Sequence, residues 1–147
     1  MNPGEIFLEA LTKLTAVRDG LKSALTCGAM EEARVEAIKL TEYFQCAYCR
    51  NYRKTTDRVG CKGICGRCPL HKHGEEIIQA PIGYNGCYKI RPYRTMVKAA
   101  FWFDIDCHKT TLVELINSVE KSINYLVSIR HKLIPVSVTF VTEPPRL

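Results

Sequence analysis

The sequence predicts an α+β fold made of an N-terminal helical hairpin, an irregular zinc-binding lobe, a short sheet and a long C-terminal helix. Three observations predict it. Apolar residues recur at three- and four-residue spacing near both ends of the chain, neither helical nor strand periodicity persists between about residues 45 and 94, and two C-x-x-C pairs lie inside that aperiodic stretch. A length of 147 residues fits one domain or two small units, and the changes of character divide it into segments 1–45, 46–94 and 95–147. An apolar share of 46% with 24% charged residues argues against wholesale disorder.

The first element follows from Phe7, Leu11, Leu14, Val17, Leu21 and Leu25, a helical stripe with Pro3 suited to its first turn. Thr26-Cys27-Gly28 supplies a break, because glycine accepts the backbone angles of a helix end. A second helix over about 29–44 follows, with Met30, Ala33, Ala37, Leu40 and Phe44 on its buried side, Glu31 and Glu32 in its first turn, and Val35 and Ile38 widening the apolar face. Repeated glycines then mark turns through the middle segment, which has few apolar residues and takes its order from a bound metal. Ile77 and Ile78 seed a short strand; the stretch 97–105 reads either as a strand or as the start of a helix, and a short strand over 100–105 is the favoured expectation. Thr111 and Glu114 form a capping box for a helix running to Leu133, whose stripe of Ile116, Val119, Ile123, Leu126 and Leu133 is broadened by Leu112, Leu115 and Val127. That stripe packs on the N-terminal hairpin or, as the alternative, on a second copy in a homodimer. Pro135 stops the helix, and residues 136–141 alternate as a strand.

Charge is unevenly placed. Of the net +6, residues 1–45 carry −2, residues 46–98 carry +8 and residues 99–147 carry zero. The longest purely apolar run, Ala99 to Phe103, has five residues, and Glu5 and Glu9 interrupt the start before a signal-type region forms. The expectation is therefore a cytoplasmic protein without a membrane segment. In a reducing compartment the eight cysteines point to metal before disulfide.

Cys46-x-x-Cys49 and Cys65-x-x-Cys68 are separated by fifteen residues, a spacing associated with zinc. Each pair can hold one edge of a tetrahedron, and four thiolates close a structural site. Cys46, Cys49, Cys65 and Cys68 are the preferred ligands; Cys61, His71 and Cys87 are the alternatives. The run Cys61-x-x-x-Cys65-x-x-Cys68 also has the bare spacing of radical-SAM iron–sulfur enzymes, but the chain is too short for the partial barrel those enzymes use.

Cys46-x-x-Cys49, Cys65-x-x-Cys68-Pro69-Leu70, Gly86-Cys87 and Pro92-Tyr93 together resemble a cysteine-rich segment of small bacteriophage proteins whose activity is largely uncharacterised. The resemblance covers about residues 44–94. It implies a metal-binding element, a functional Cys87 and an accessory or host-interaction role in the host cytoplasm, and it implies no catalytic assignment.

Arg50, Arg53, Lys54, Arg58 and Arg67 surround the cysteines, and Tyr48 and Tyr52 lie among them. Cations contact phosphates and aromatic rings stack on single-stranded bases, so nucleic acid is the first expected partner. The same cations also compensate the negative charge of a zinc bound by four thiolates. A phage-type inhibitor or adaptor binding a host protein is the second reading. Enzymatic chemistry ranks below both: Asp104, Asp106 and His108 would share one face of the expected strand, but no phosphate-binding loop, H-E-x-x-H unit or serine-nucleophile motif accompanies them.

Overall fold

The first helix begins where the backbone's unpaired amides find side-chain partners. The Asn2 side chain accepts from the Glu5 amide, and the Glu5 carboxylate accepts from the Asn2 amide, both at 2.9 Å. Pro3, which has no amide to satisfy, is the first helical residue. The computed structural model describes residues 2–41, 46–52, 68–77, 86–107 and 110–134. Within them lie seven α-helices: α1 (Pro3–Cys27), α2 (Met30–Thr41), α3 (Ala47–Tyr52), α4 (Pro69–Ile77), α5 (Arg91–Ile105), α6 (Leu112–Ser128) and α7 (Arg130–Leu133). A 3-10 turn, Gly86–Lys89, precedes α5.

Four of these helices form a ring: α1 packs on α2 and α6, and α5 packs on the same two. Polar contacts fix their directions. Arg34 in the first half of α2 donates to the backbone oxygen of Asp104 near the end of α5, at 3.0 Å. Ser122 late in α6 donates to the carbonyl of Pro92 at the start of α5, at 3.0 Å. Lys22 late in α1 pairs with Glu120 of α6, while Arg130 beyond α6 lies over the Phe7 ring early in α1. The result is an up-down-up-down four-helix bundle. Its long connection, from α2 to α5, carries α3, α4 and the 3-10 turn. They form a cap at the end of the bundle where α1 and α5 begin, with α3 against α1, and α4 against the turn and α7.

Small residues let the helices approach. Ala33, Ala37 and Ala100 are completely buried, and the larger Leu21, Phe103, Leu115 and Val119 fill the space between the axes. At Gly20 an added Cβ would lie 2.9 Å from the Glu36 side chain, so α1 and α2 are in close contact there. Gly28 ends α1 at φ 67°, in the left-handed region, with its amide bonded to Ala24.

The predicted helices at both ends are present, and the Thr111–Glu114 capping box forms with both of its reciprocal bonds. The α+β class, however, is overturned: no strand occurs among the described residues. The stretch 100–105, expected as a strand, is the second half of α5. Met96, Ala100 and Phe103 are buried on one side of that helix, a four-three spacing that a helix aligns and a strand does not. Phe101, Trp102 and Ile105 are exposed. The boundary placed at residue 94 therefore falls inside α5, and Asp104 and Asp106 do not share a strand face. The expected strand residues Ile78 and 136–141, together with His108, lie outside the described residues.

On α6 the stripe from Leu112 to Leu126 is buried against α1 and α5, so a homodimer is not needed to cover it; Val127 is exposed. The helix expected to reach Leu133 breaks at Ile129 and resumes as α7. Met30, Val35 and Ile38 on α2 are exposed, contrary to the broad buried face expected there.

Gly28→Ala is expected to destabilise the chain by about 1 kcal/mol through backbone strain alone, since nothing lies near its missing Cβ. Phe103→Ala, which opens a cavity at the centre of the bundle, should remove about 3–5 kcal/mol. Equilibrium urea unfolding measures both; equal effects of the two substitutions would contradict this core.

Candidate metal centre

Cys46 and Cys68 each stand at the beginning of a helix. The Cys46 carbonyl accepts from the Arg50 amide at 2.9 Å and so opens α3; the Cys68 carbonyl accepts from Lys72 at 2.9 Å and opens α4. Pro69, like Pro3, is the first residue of its helix. Cys87 sits on the 3-10 turn, whose short bond runs from the Ile90 amide to the Cys87 carbonyl at 3.1 Å, and this turn packs against α4. Cys68 and Cys87 are buried and Cys46 is half-buried.

Tyr48, within the first pair, is 2% exposed. Burial pushes its phenol well above the ordinary range, and the charges of Cys46, then Cys68, then Tyr52 push it further. Tyr52, stacked on Tyr48 at 6.4 Å and nearly parallel, is raised by burial and then by Cys68. Residues 46 and 68 are far apart in sequence yet act on the same ring, so the start of the first pair and the end of the second belong to one neighbourhood. The Tyr48 hydroxyl is buried without a hydrogen-bond partner. A ring so covered has no face to offer a base, which removes Tyr48 from the expected nucleic-acid contacts.

His71 lies three residues after Cys68 on the first turn of α4, and its Nδ1 is buried without a hydrogen-bond partner. A buried imidazole nitrogen with no donor or acceptor is costly to leave so and suits a metal. Cys46 and Cys68, which both bear on the Tyr48 ring, and the His71 nitrogen on the helix that Cys68 opens are of the donor types that zinc takes. Among the described residues no three such groups come together closely enough to hold an ion. The side chain of Cys49, and Cys61 and Cys65 entirely, lie outside the described residues, as do Arg53, Lys54, Arg58 and Arg67. Arg50 is exposed and paired with Glu9 of α1.

Asp104 is engaged with Arg34, Asp106 follows the end of α5, and His131 is exposed on α7. These groups are not assembled for acid–base chemistry.

His73, on the same helix as His71, stands close enough to the cysteines in the sequence to be a further metal-ligand candidate, and with His71 a candidate for a catalytic zinc; the structure engages its ring elsewhere. It is 6% exposed, and its Nε2 lies 2.7 Å from the Tyr125 hydroxyl of α6, which joins the cap to the bundle. Its signal in the sequence is the Leu70–His73 spacing, one helical turn, with both residues buried. Burial, followed by the charges of Lys132 and His131, holds its pKa below the ordinary value. The unfolded chain therefore binds this proton more readily than the folded one. The stability that neutral His73 contributes is complete above about pH 6.5 and is lost as pH falls through the lower folded pKa. Acidification should consequently lower the urea midpoint more for the natural chain than for His73→Gln, and amides of α4 should exchange faster. Parallel pH profiles for the two proteins would remove His73 as the titrating group.

Compared with family models, with curated proteins and with solved structures, the chain matches none.

Proposed function

We propose that this chain is a zinc-stabilised accessory binding protein that contacts nucleic acid through the basic surface of its cap. The observation that carries the metal reading is the convergence of Cys46 and Cys68 on Tyr48. Cys46, Cys49, Cys65 and Cys68 are the preferred ligands, with Cys87, His71 and Cys61 as the alternatives. When bound, zinc supplies a closed, redox-inert crosslink and no open coordination position for a reaction. The cap's own apolar contribution supports this economy: Ala47, Tyr48, Leu70 and Ile90 join the core, but the cap helices are too short to be stable alone.

The partner reading rests on charge. Residues 46–98 carry +8 before any metal is bound, and binding zinc to four thiolates lowers that by about two charges and leaves the segment basic. Lys72 is exposed on α4, and Arg91 is exposed where α5 begins. Arg50, Arg53, Lys54, Arg58 and Arg67 add the remaining phosphate contacts, and Tyr52, half-buried with one ring face against Tyr48, is the stacking residue. The resemblance to small bacteriophage proteins supports an accessory role in an infected cell. No described helix is long and apolar enough to cross a membrane.

Native mass spectrometry should find about one zinc per chain, the capacity of a single four-thiolate site. Cys68→Ser should release it and Cys27→Ser, at the exposed end of α1, should retain it. Full zinc retention by Cys68→Ser would reject the ligand set. Binding to single-stranded oligonucleotides should weaken steeply as salt rises, and replacing Arg53 and Lys54 by Ala should flatten that dependence by about two contacts while leaving the zinc in place. Salt-independent binding, or none at low salt, would defeat the nucleic-acid reading.

A further inference from the structure

We propose that the Tyr48 hydroxyl donates a hydrogen bond to a thiolate of the zinc centre, that of Cys46 or Cys68, and so helps to retain the metal from outside its ligand shell. This inference rests on the metal reading above and adds a residue to it. Three observations carry it. The Tyr48 side chain is almost completely buried, and its hydroxyl has no hydrogen-bond partner. Tyr48 belongs to the same buried cluster as Cys68 and Cys87, Cys46 packs against that cluster, and both Cys46 and Cys68 bear on the Tyr48 ring. It is also the second residue of α3, the helix that the Cys46 carbonyl opens, so the chain carries the phenol between the two cysteines of the first pair.

Chemistry decides what such a hydroxyl does. Taking a phenol out of water is costly unless an acceptor replaces the lost solvent, and a buried hydroxyl left unpaired is destabilising. A tyrosine ordinarily loses its proton near pH 10, at about the unperturbed value, so at neutral pH the group is an O–H donor. It is not itself a ligand, because zinc in proteins takes thiolate, imidazole and carboxylate. A neutral thiol is a weak acceptor, whereas a thiolate on zinc keeps negative charge and accepts strongly. Loading the site therefore creates the kind of acceptor that the hydroxyl lacks. Donation to the sulfur eases the repulsion among thiolates gathered on one ion and fixes the direction of the ligand, as outer hydrogen bonds do at metal sites. The Tyr52 ring, nearly parallel at 6.4 Å, covers one face of Tyr48 and helps to keep it in place.

Tyr48→Phe removes the hydroxyl and keeps the ring. From the full, zinc-loaded variant, release of zinc to excess EDTA should be about tenfold faster than from the natural chain, the scale of effect that outer partners of a metal ligand have. With cobalt(II) in place of zinc, the sulfur-to-metal charge-transfer band should move to longer wavelength in the variant, because a sulfur relieved of its hydrogen bond gives up electron density more easily. Urea unfolding separates this role from packing. The variant should be less stable than the natural chain when both hold zinc, and no less stable when both are stripped of it, since the hydroxyl is then only an unpaired buried group. Zinc release at the natural rate, an unmoved cobalt band, or a loss of stability of the same size with and without metal would overturn the role of Tyr48 and leave the metal reading standing. A natural chain that takes up no zinc overturns both.

Discussion

The structure depends on one stripe of α1. From Ile6 to Ala24 its buried residues meet α2 and α6 along the bundle, while its first turns also face α3 and α7. No other helix touches both the bundle and the first cysteine-bearing helix so extensively. Burial of that stripe aligns α2 and α6, and they in turn locate α5. It also gives the cap a surface to close on. Leu21, the deepest residue of the stripe, is completely buried, as are Ala33 and Ala37 on the facing helix. A contact of this kind is stabilised by apolar area and close packing together, so small side chains are as necessary to it as large ones.

The cap is held by interactions of a different type. Its apolar share is modest, with Ala47, Tyr48, Leu70 and Ile90 joining the core, and two polar links to the bundle are individually identifiable: the His73–Tyr125 contact and the Glu9–Arg50 ion pair. Exposed ion pairs contribute little on their own. The buried polar atoms of Tyr48, His71 and His73 reduce the cap's stability further unless another group satisfies them. The bundle is therefore the stable part of the molecule and the cap the part whose order depends on conditions. Acidification, and the metal and partner proposed above, would all act on the same few elements.

Much of the bundle was legible in the sequence because α1 and α6 are long enough for the helical period to repeat several times. Gly28 and the Thr111–Glu114 box marked their ends correctly. The strand expected over 100–105 arose because five consecutive apolar residues obscure any period within so short a window. The deciding information lay before it, in Met96, whose four-three spacing to Ala100 and Phe103 is helical. In the cap, α3 and α4 are too short to show a repeat, although Pro69 and the Leu70–His73 spacing were signals. For the candidate site, the paired cysteines gave the donor chemistry but not the covered ring between them. Tyr48 reads as a surface tyrosine until tertiary packing buries it, and no local pattern in the sequence distinguishes the two cases.

The cap is, topologically, an insertion between antiparallel neighbours. Thr41 ends α2 and Arg91 begins α5 at the same end of the bundle, so the chain leaves and returns at nearly one place. The entropy of closing such a connection grows only slowly with length, by about 0.6 kcal/mol per doubling. Length between the two cysteine pairs is therefore nearly free to drift, provided the anchoring residues at each helix start are kept. A scaffold of this form tolerates changes of length and sequence in the segment proposed to meet a partner while the same four helices persist beneath.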